Sequence, residues 1–373
     1  MVQILDVCEN WRAASDLQGD LRALDSTVLD PVLSALVEHT FLERSDRPIP
    51  ESSQLFSQWV GWRPAAAFFH ASTKDVRYGN AGRVDNLLRR KATADPPPSP
   101  LKTADDANHA HALPVPLPTP ITLDHALQER RTWRQFRSTS LSQEHLATLL
   151  GLTWGVQQWI HVEGFNRMAL KTSPSGGARH SIEAYAYVRR VSGLRPGWYH
   201  YDPDRHALRA ITSKTGRGRP RKISAYLPTQ GWYDNAAVMI AMTAVFARAQ
   251  WRYGYARAYR SVLAEAGHLA QTFCLVATSL GLAPFCSMAL ADSAIERDLG
   301  IDGVSESVIY ATGTGHRPQR VDWAPWPDTT DTPRVELPTW KQRKASASEG
   351  TPSRRRAPRT APAPRSTRTS RSR

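Results

Sequence analysis

Cysteine is scarce in this chain of 373 residues, with only Cys8, Cys274 and Cys286. They form no CxxC pair and leave an odd count, which supports neither a disulfide framework nor a cysteine-based zinc site and points to a reducing compartment. No metal is expected. Long hydrophobic runs are missing as well. The longest nearly unbroken one, Ala236 to Ala247, has 12 residues, too short to cross a bilayer, and no basic stretch precedes an apolar one at the N-terminus. A soluble, cytoplasmic protein without a membrane partner is expected. No GxGxxG follows a first strand, which disfavours a Rossmann fold. No internal repeat is present.

What is present supports a sizeable core, with 41% hydrophobic and 22% charged residues. The formal charge of +14 is not spread evenly. Residues 341–373 carry eleven Lys or Arg against one Glu, so the tail holds most of it and the body is nearly balanced. Such a Ser/Pro/Arg-rich tail lacks the apolar surface to offset its ordering entropy and is expected to be disordered. It reads as a solubilising appendage, with nonspecific nucleic-acid binding by counterion release as the alternative.

Composition divides the chain further. Residues 1–94 predict short helices, from apolar spacing through Leu21, Leu24, Leu29, Val32, Leu33 and Leu36, in a winged-helix-like module. An aromatic stretch follows, with Trp59, Trp62, Phe68, Phe69 and His70, fit for a core or for docking a peptide. Residues 95–120 are proline-rich and read as a linker or strap. Residues 121–335 read as the catalytic domain. There, helices are predicted over 123–131 and 143–153, strands over 184–191, 197–201, 206–212, 236–247 and 307–312, and a buried helix over 258–280. The order is α+β.

Three clusters offer chemistry. Arg130, Arg131, Thr132 and Arg134 form a fork of donors suited to a phosphate, although an arginine-rich helix end is more often a solvated face. Pro174, Ser175, Gly176 and Gly177 allow backbone to approach a flat or anionic ligand, or form an ordinary tight loop. Arg252 and Tyr253 precede the long helix, where His268 reads as a satisfied core histidine.

In order along the chain, RRTWRQF, PSGGARHSIEAY, GWYHYD, RYGYARAYR, EAGHLAQTFCLVATSLGLAP and YATGTGHRP resemble the SagB/ThcOx-type peptide dehydrogenases of the nitroreductase-like flavoproteins, over residues 121–320. The resemblance implies an α+β fold with a central, mostly antiparallel sheet flanked by helices. It also implies FMN in a cleft shared by two copies of the chain, in a homodimer. The substrate implied is a ribosomally made precursor peptide whose thiazoline or oxazoline rings are oxidised to azoles beside a cyclodehydratase or other peptide-modifying enzymes. Position by position, it assigns Arg130, Arg131, Thr132 and Arg134 to the phosphate and ribityl chain, and Pro174 to Gly177 to the ring. Ser287, Met288 and Ala289 match the stretch facing flavin N5, and Arg317 or Arg320 a late phosphate contact.

Relatives carry Lys-Tyr where this chain has Arg252-Tyr253. Arginine stays protonated and makes a poor base, leaving Arg252 to lower the pKa of Tyr253 or hold an oxygen while Tyr253 moves the proton. The substitution also leaves open a Cα–Cβ or Cα–N dehydrogenation, a general NAD(P)H-dependent nitro- or quinone reductase, or a non-catalytic peptide-binding scaffold. Deleting residues 341–373 is expected to abolish nucleic-acid retention on a polyanion column and to leave oxidase activity unchanged.

Overall fold

The computed structural model describes residues 57–102, 110–162, 165, 167–211 and 221–319, with shorter stretches before residue 57. The basic tail and Arg320 lie outside them. The fold follows from one alternation. In β4 (Ile182–Val188), Ala184, Ala186 and Val188 face one side and Tyr185 and Tyr187 the other, and every residue of the strand is buried. A strand covered on both faces sits at the centre of a sheet. β7 (Val238–Val245) behaves likewise, with Val238, Ile240 and Met242 on the first side and Met239 and Ala241 on the second.

Around these two, the sheet runs β1 (Ala110–Ala112), β6 (Ala207–Ala210), β5 (Gly197–Asp202), β4, β7, β9 (Glu306–His316), β8 (Leu282–Ser287). Every pairing in it is antiparallel, as expected for this fold class. A separate hairpin joins β2 (Val156–His161) to β3 (Arg167–Lys171). The small side chains of β4 admit two helices close to its first face: α6 (Gln143–Thr153) and α8 (Ala258–Ser279). The aromatic face carries Trp198, Tyr226, Tyr233, Phe285 and α9 (Asp292–Leu299). No helix among the described residues is long and apolar enough to cross a membrane.

Two sequence expectations shift. The run 236–247, expected as one strand, ends at Val245 and turns into α7 (Phe246–Arg252). α8 was expected to be buried all round, yet Ala264, Gly267, His268 and Gln271 are exposed. Before residue 95 the described elements are helical: α1 (Ala14–Asp20), α2 (Ser26–Glu38), α3 (Arg63–Ser72) and α4 (Ala81–Ala94), with α5 (Leu123–Glu129) later opening the catalytic part. The expected wing has no counterpart among the described residues there.

The proline-rich stretch is attached to the body. Ala110–Ala112 supplies the β1 edge, and Leu117 N–H donates to Thr148 Oγ1 at 2.8 Å. Further back, the buried guanidinium of Arg248, 3% exposed, donates to Ser99 O at 2.7 Å, to His180 O at 2.8 Å and to Glu183 Oε1 at 2.6 Å. Glu183 also accepts from His200 Nε2 at 2.7 Å. Burial alone would push Glu183 up; Arg248 and the His200 bond override it and hold the carboxyl well below the usual range. Lys102 closes the same end through Tyr185 and Glu306.

Arg248→Met is expected to cost about 3–5 kcal/mol in urea unfolding, because it strands a buried carboxylate. Because Glu183 titrates lower in the folded than in the unfolded chain, its contribution is present above the ordinary carboxylate range and fades as pH falls below it. The stability gap between wild type and Arg248→Met should therefore narrow in acid.

Candidate active site

The arginine segment is set by its aromatic residues. After α5 the chain runs extended, with Trp133 N–H donating to Pro284 O and Arg137 N–H to His316 O, both at 3.0 Å, so it lies beside the start of β8 and the end of β9. Trp133 and Phe136 turn into the core, leaving Arg130, Thr132 and Arg134 half-buried on the other side. Arg134 Nε is shielded from solvent with no hydrogen-bond partner. A buried charged donor without an acceptor is what a bound anion would satisfy.

The other predicted phosphate ligands are used differently. Arg131 is exposed, and its Nη1 donates to Gln128 O and Arg130 O at 2.8 Å, closing the end of α5. Arg317 donates to Leu282 O at 2.9 Å and Thr278 O at 3.3 Å, finishing α8, with its guanidinium 5.2 Å from the centre of the Trp133 ring. Ala289 N–H donates to Ser287 Oγ at 3.1 Å, and Ser287 Oγ donates to Gln230, so that backbone donor is engaged internally; Met288 is 66% exposed. Cys286, on β8, lies beside the Cys274 thiol on α8, which, with Tyr310 and Arg130, holds Cys286 below the usual thiol range despite burial.

The glycine loop lies at the opposite end of the sheet, where β4 begins, β7 ends and β9 starts. Its backbone is strained: Gly177, Ala178 and His180 have φ of 60°, 51° and 48°. Gly177 admits no side chain, since a Cβ would lie 2.2 Å from Arg252 Cδ and 2.9 Å from Tyr253 Oη. Arg252 and Tyr253 therefore pack directly on the loop. Arg252 Nε donates to Tyr253 Oη at 3.3 Å. Tyr253 continues to Tyr255 and Tyr78, with ring centres 5.9 and 6.1 Å apart. α3 is held here too, its C-terminal carbonyls at His70 and Thr73 accepting from Arg260 and Arg257 at 2.6 and 2.9 Å.

Behind the loop lies a floor of titratable groups. Burial pushes Lys171 down to about 8 against the pull of Glu183, and pushes His180 down to about 4 with the Lys171 charge adding. Burial pushes Glu265 up, opposed by hydrogen bonds from Ser175 and Ile182. The structure thus brings Pro174 to Gly177 together with Arg252 and Tyr253, and separately brings Arg130, Thr132 and Arg134 to β8. α8 touches both: Ser261 lies under Gly176, whereas Thr278 meets Arg317. Ser261 and Thr278 are seventeen residues apart, about 25 Å along the helix.

The profile of the nitroreductase family matches residues 127–316, half of the chain and the whole stretch that carries both groups. The chain belongs to the nitroreductase family. Members are flavin-dependent oxidoreductases. Among relatives of this nitroreductase-family chain, a Methanocaldococcus jannaschii protein named as nitroreductase MJ1384 is 32% identical over 182 residues, 48% of this chain and 85% of its own. The trifolitoxin-processing protein TfxB of Rhizobium leguminosarum bv. trifolii is 26% identical over 295 residues, 77% of this chain and 76% of its own. A crystal structure of a nitroreductase-type protein from Ralstonia eutropha JMP134 is 21% identical with a TM-score of 0.45, covering 60% of this chain and 96% of that one.

The nitroreductase chain thus offers a shielded, unpartnered Nε on half-buried Arg134, which fits the phosphate of a flavin, and a glycine loop packed against Arg252, Tyr253 and Ser261. Arg248, Glu183, Lys171 and Glu265 escape sequence reasoning, since charged residues scattered through strands and helices carry no spacing signal for a shared buried cluster. Gly177→Ala is expected to lower stability by about 1–3 kcal/mol in urea unfolding. Gly176→Ala should cost less than half as much, because its methyl would meet Ser261 and Tyr253 at 3.5 Å.

Proposed function

We propose that this protein is an FMN-dependent peptide dehydrogenase of the SagB/ThcOx type, oxidising azoline rings in a ribosomally made precursor peptide. One observation carries the substrate class. Likeness to TfxB covers 77% of this chain and so extends well outside residues 127–316, the stretch matched by the nitroreductase family profile. A general nitro- or quinone reductase has no need of the aromatic helix α3 anchored on the start of α8, through Arg260 to His70 and Phe69 against Tyr259.

A homodimer accounts for the two separated groups, with the glycine loop of one chain facing the arginine segment of its twofold mate. Arg130, Thr132 and Arg134 would hold the FMN phosphate, and Pro174 to Gly177 would lie against the ring. When bound, FMN supplies the acceptor for a hydride leaving a ring carbon. The chain's own part is the proton that leaves the neighbouring carbon. Azoline becomes azole with loss of one hydride and one proton, and Tyr253 is the group placed to take that proton. Arg252 Nε donates to the Tyr253 oxygen at 3.3 Å, a bond the phenolate also accepts, and the phenolate is the form that would take the proton. Arg252 itself carries a permanent charge and holds no proton in exchange.

The test begins with the visible spectrum of purified protein, the released cofactor identified by mass, and then a peptide bearing one thiazoline. FMN near one per chain and loss of two hydrogen masses from the peptide are expected; colourless protein that takes up no FMN excludes the reading. The double variant Arg130→Ala, Arg134→Ala should purify with little flavin. Tyr253→Phe should keep the flavin and turn over at least about 10²-fold more slowly.

A further inference from the structure

The exposed face of α8 carries a polar stripe that meets the glycine loop residue by residue. Ser261 lies 3.5 Å from where a Gly176 Cβ would be. Glu265 Oε2 accepts from Ser175 Oγ at 2.6 Å, His268 Nδ1 lies 3.2 Å from Pro174 O, and Thr272 Oγ1 lies 2.8 Å from Ser173 Oγ. Helix positions i, i+4, i+7 and i+11 thereby meet loop residues 176, 175, 174 and 173 in antiparallel order. That spacing places all four on one helix face. Glu265 is the buried member, 5% exposed, and its other oxygen accepts from Ile182 N–H at 3.3 Å, at the point where the loop enters β4. Ser175 Oγ in turn accepts from His180 N–H at 2.8 Å. One carboxylate therefore spans both ends of a loop that holds three left-handed residues.

We propose that Glu265 is a positioning residue for the flavin. Through Ser175 and Ile182 it presets the glycine loop before cofactor arrives, with His268 and Thr272 extending the grip toward the N-terminal side of the loop. The inference rests on the flavin reading for what the loop faces. Its structural half stands alone. Because the Ser175 proton is committed to Glu265, the Ser175 hydroxyl has none to offer a ligand, and a bound ring would meet the loop through its backbone. Replacing carboxylate by amide changes that. In Glu265→Gln the amide N–H would donate to the second lone pair of Ser175 Oγ and the amide oxygen would accept from Ile182 N–H, releasing the Ser175 proton toward the site. In Glu265→Ala, Ile182 N–H and Ser175 O–H lose their acceptor.

The experiment measures FMN binding to stripped protein by flavin fluorescence quenching, together with amide hydrogen exchange of the same proteins without flavin. Glu265→Ala is expected to raise the FMN Kd at least tenfold and to speed exchange at Ile182 and His180, while the apolar turns of α8 stay protected. Glu265→Gln is expected to bind within about threefold of wild type with a shifted visible flavin band, because of the released hydroxyl. His268→Gln should leave the band unshifted. Wild-type FMN affinity in Glu265→Ala overturns the proposal, and so does a Glu265→Gln protein as impaired as Glu265→Ala. If wild-type protein binds no FMN, the functional reading fails; unchanged Ile182 and His180 exchange in Glu265→Ala would then still refute the role of Glu265 in the loop.

Discussion

The buried guanidinium of Arg248 is the constraint around which the catalytic half is arranged. It is the first turn of α7 that carries it, directly behind the central strand β7, and from there it reaches three pieces of chain that are remote in sequence: Ser99 in the proline-rich strap, His180 in the glycine loop and Glu183 at the start of β4. A charge this deeply buried is tolerable only with its donors satisfied, so strap, loop and strand must arrive together. That requirement helps a loop with left-handed Ala178 and His180 persist, since the surrounding bonds over-determine its path. It also makes the strap part of the site's support. Trp251 Nε1 donates to Asp95 O and Lys91 Nζ to Trp251 O, so the helix before the strap is clamped to the same α7.

α8 sets the distances. Its near end packs on the glycine loop and its far end is finished by Arg317, which also stacks on Trp133 of the arginine segment. Ser261 and Thr278, the helix positions that meet the glycine loop and Arg317, lie about 25 Å apart along it, with His268 and Thr272 meeting the loop in between. Arg134 Nε has no hydrogen-bond partner at the far end, and Ala264, Gly267 and His268 are exposed on α8.

Much of this could be read in the residues. The alternation of small and aromatic residues in IEAYAYV gives a central strand directly, and the paired glycines mark a tight loop, on which Arg252 and Tyr253 pack at Gly177. The boundary of β7 was harder, because Val245, Phe246 and Ala247 continue the apolar run and only the buried Arg248 forces the turn into α7. The α8 stripe is visible afterwards as polar residues spaced four, three and four apart in an otherwise apolar helix. Arg131 and Arg317 show the opposite limit. Their type and spacing suit a phosphate, but nearby helix-end carbonyls, Gln128 O for Arg131 and Thr278 O for Arg317, take them.

The placement of charge around the loop separates two kinds of electrostatic work. In front, toward Tyr253, stands an arginine whose charge does not vary with pH; behind stand Lys171, His180 and Glu265, all shifted by burial toward their neutral forms. In the proposed reaction the base on the front side is the tyrosine, with the Ser175 proton committed to Glu265 behind it. A lysine at position 252 would bring a movable proton to the front. With arginine there, a fixed positive charge stands beside the phenol oxygen of Tyr253, so in the proposed reaction the proton has to be taken by a tyrosine and not by residue 252.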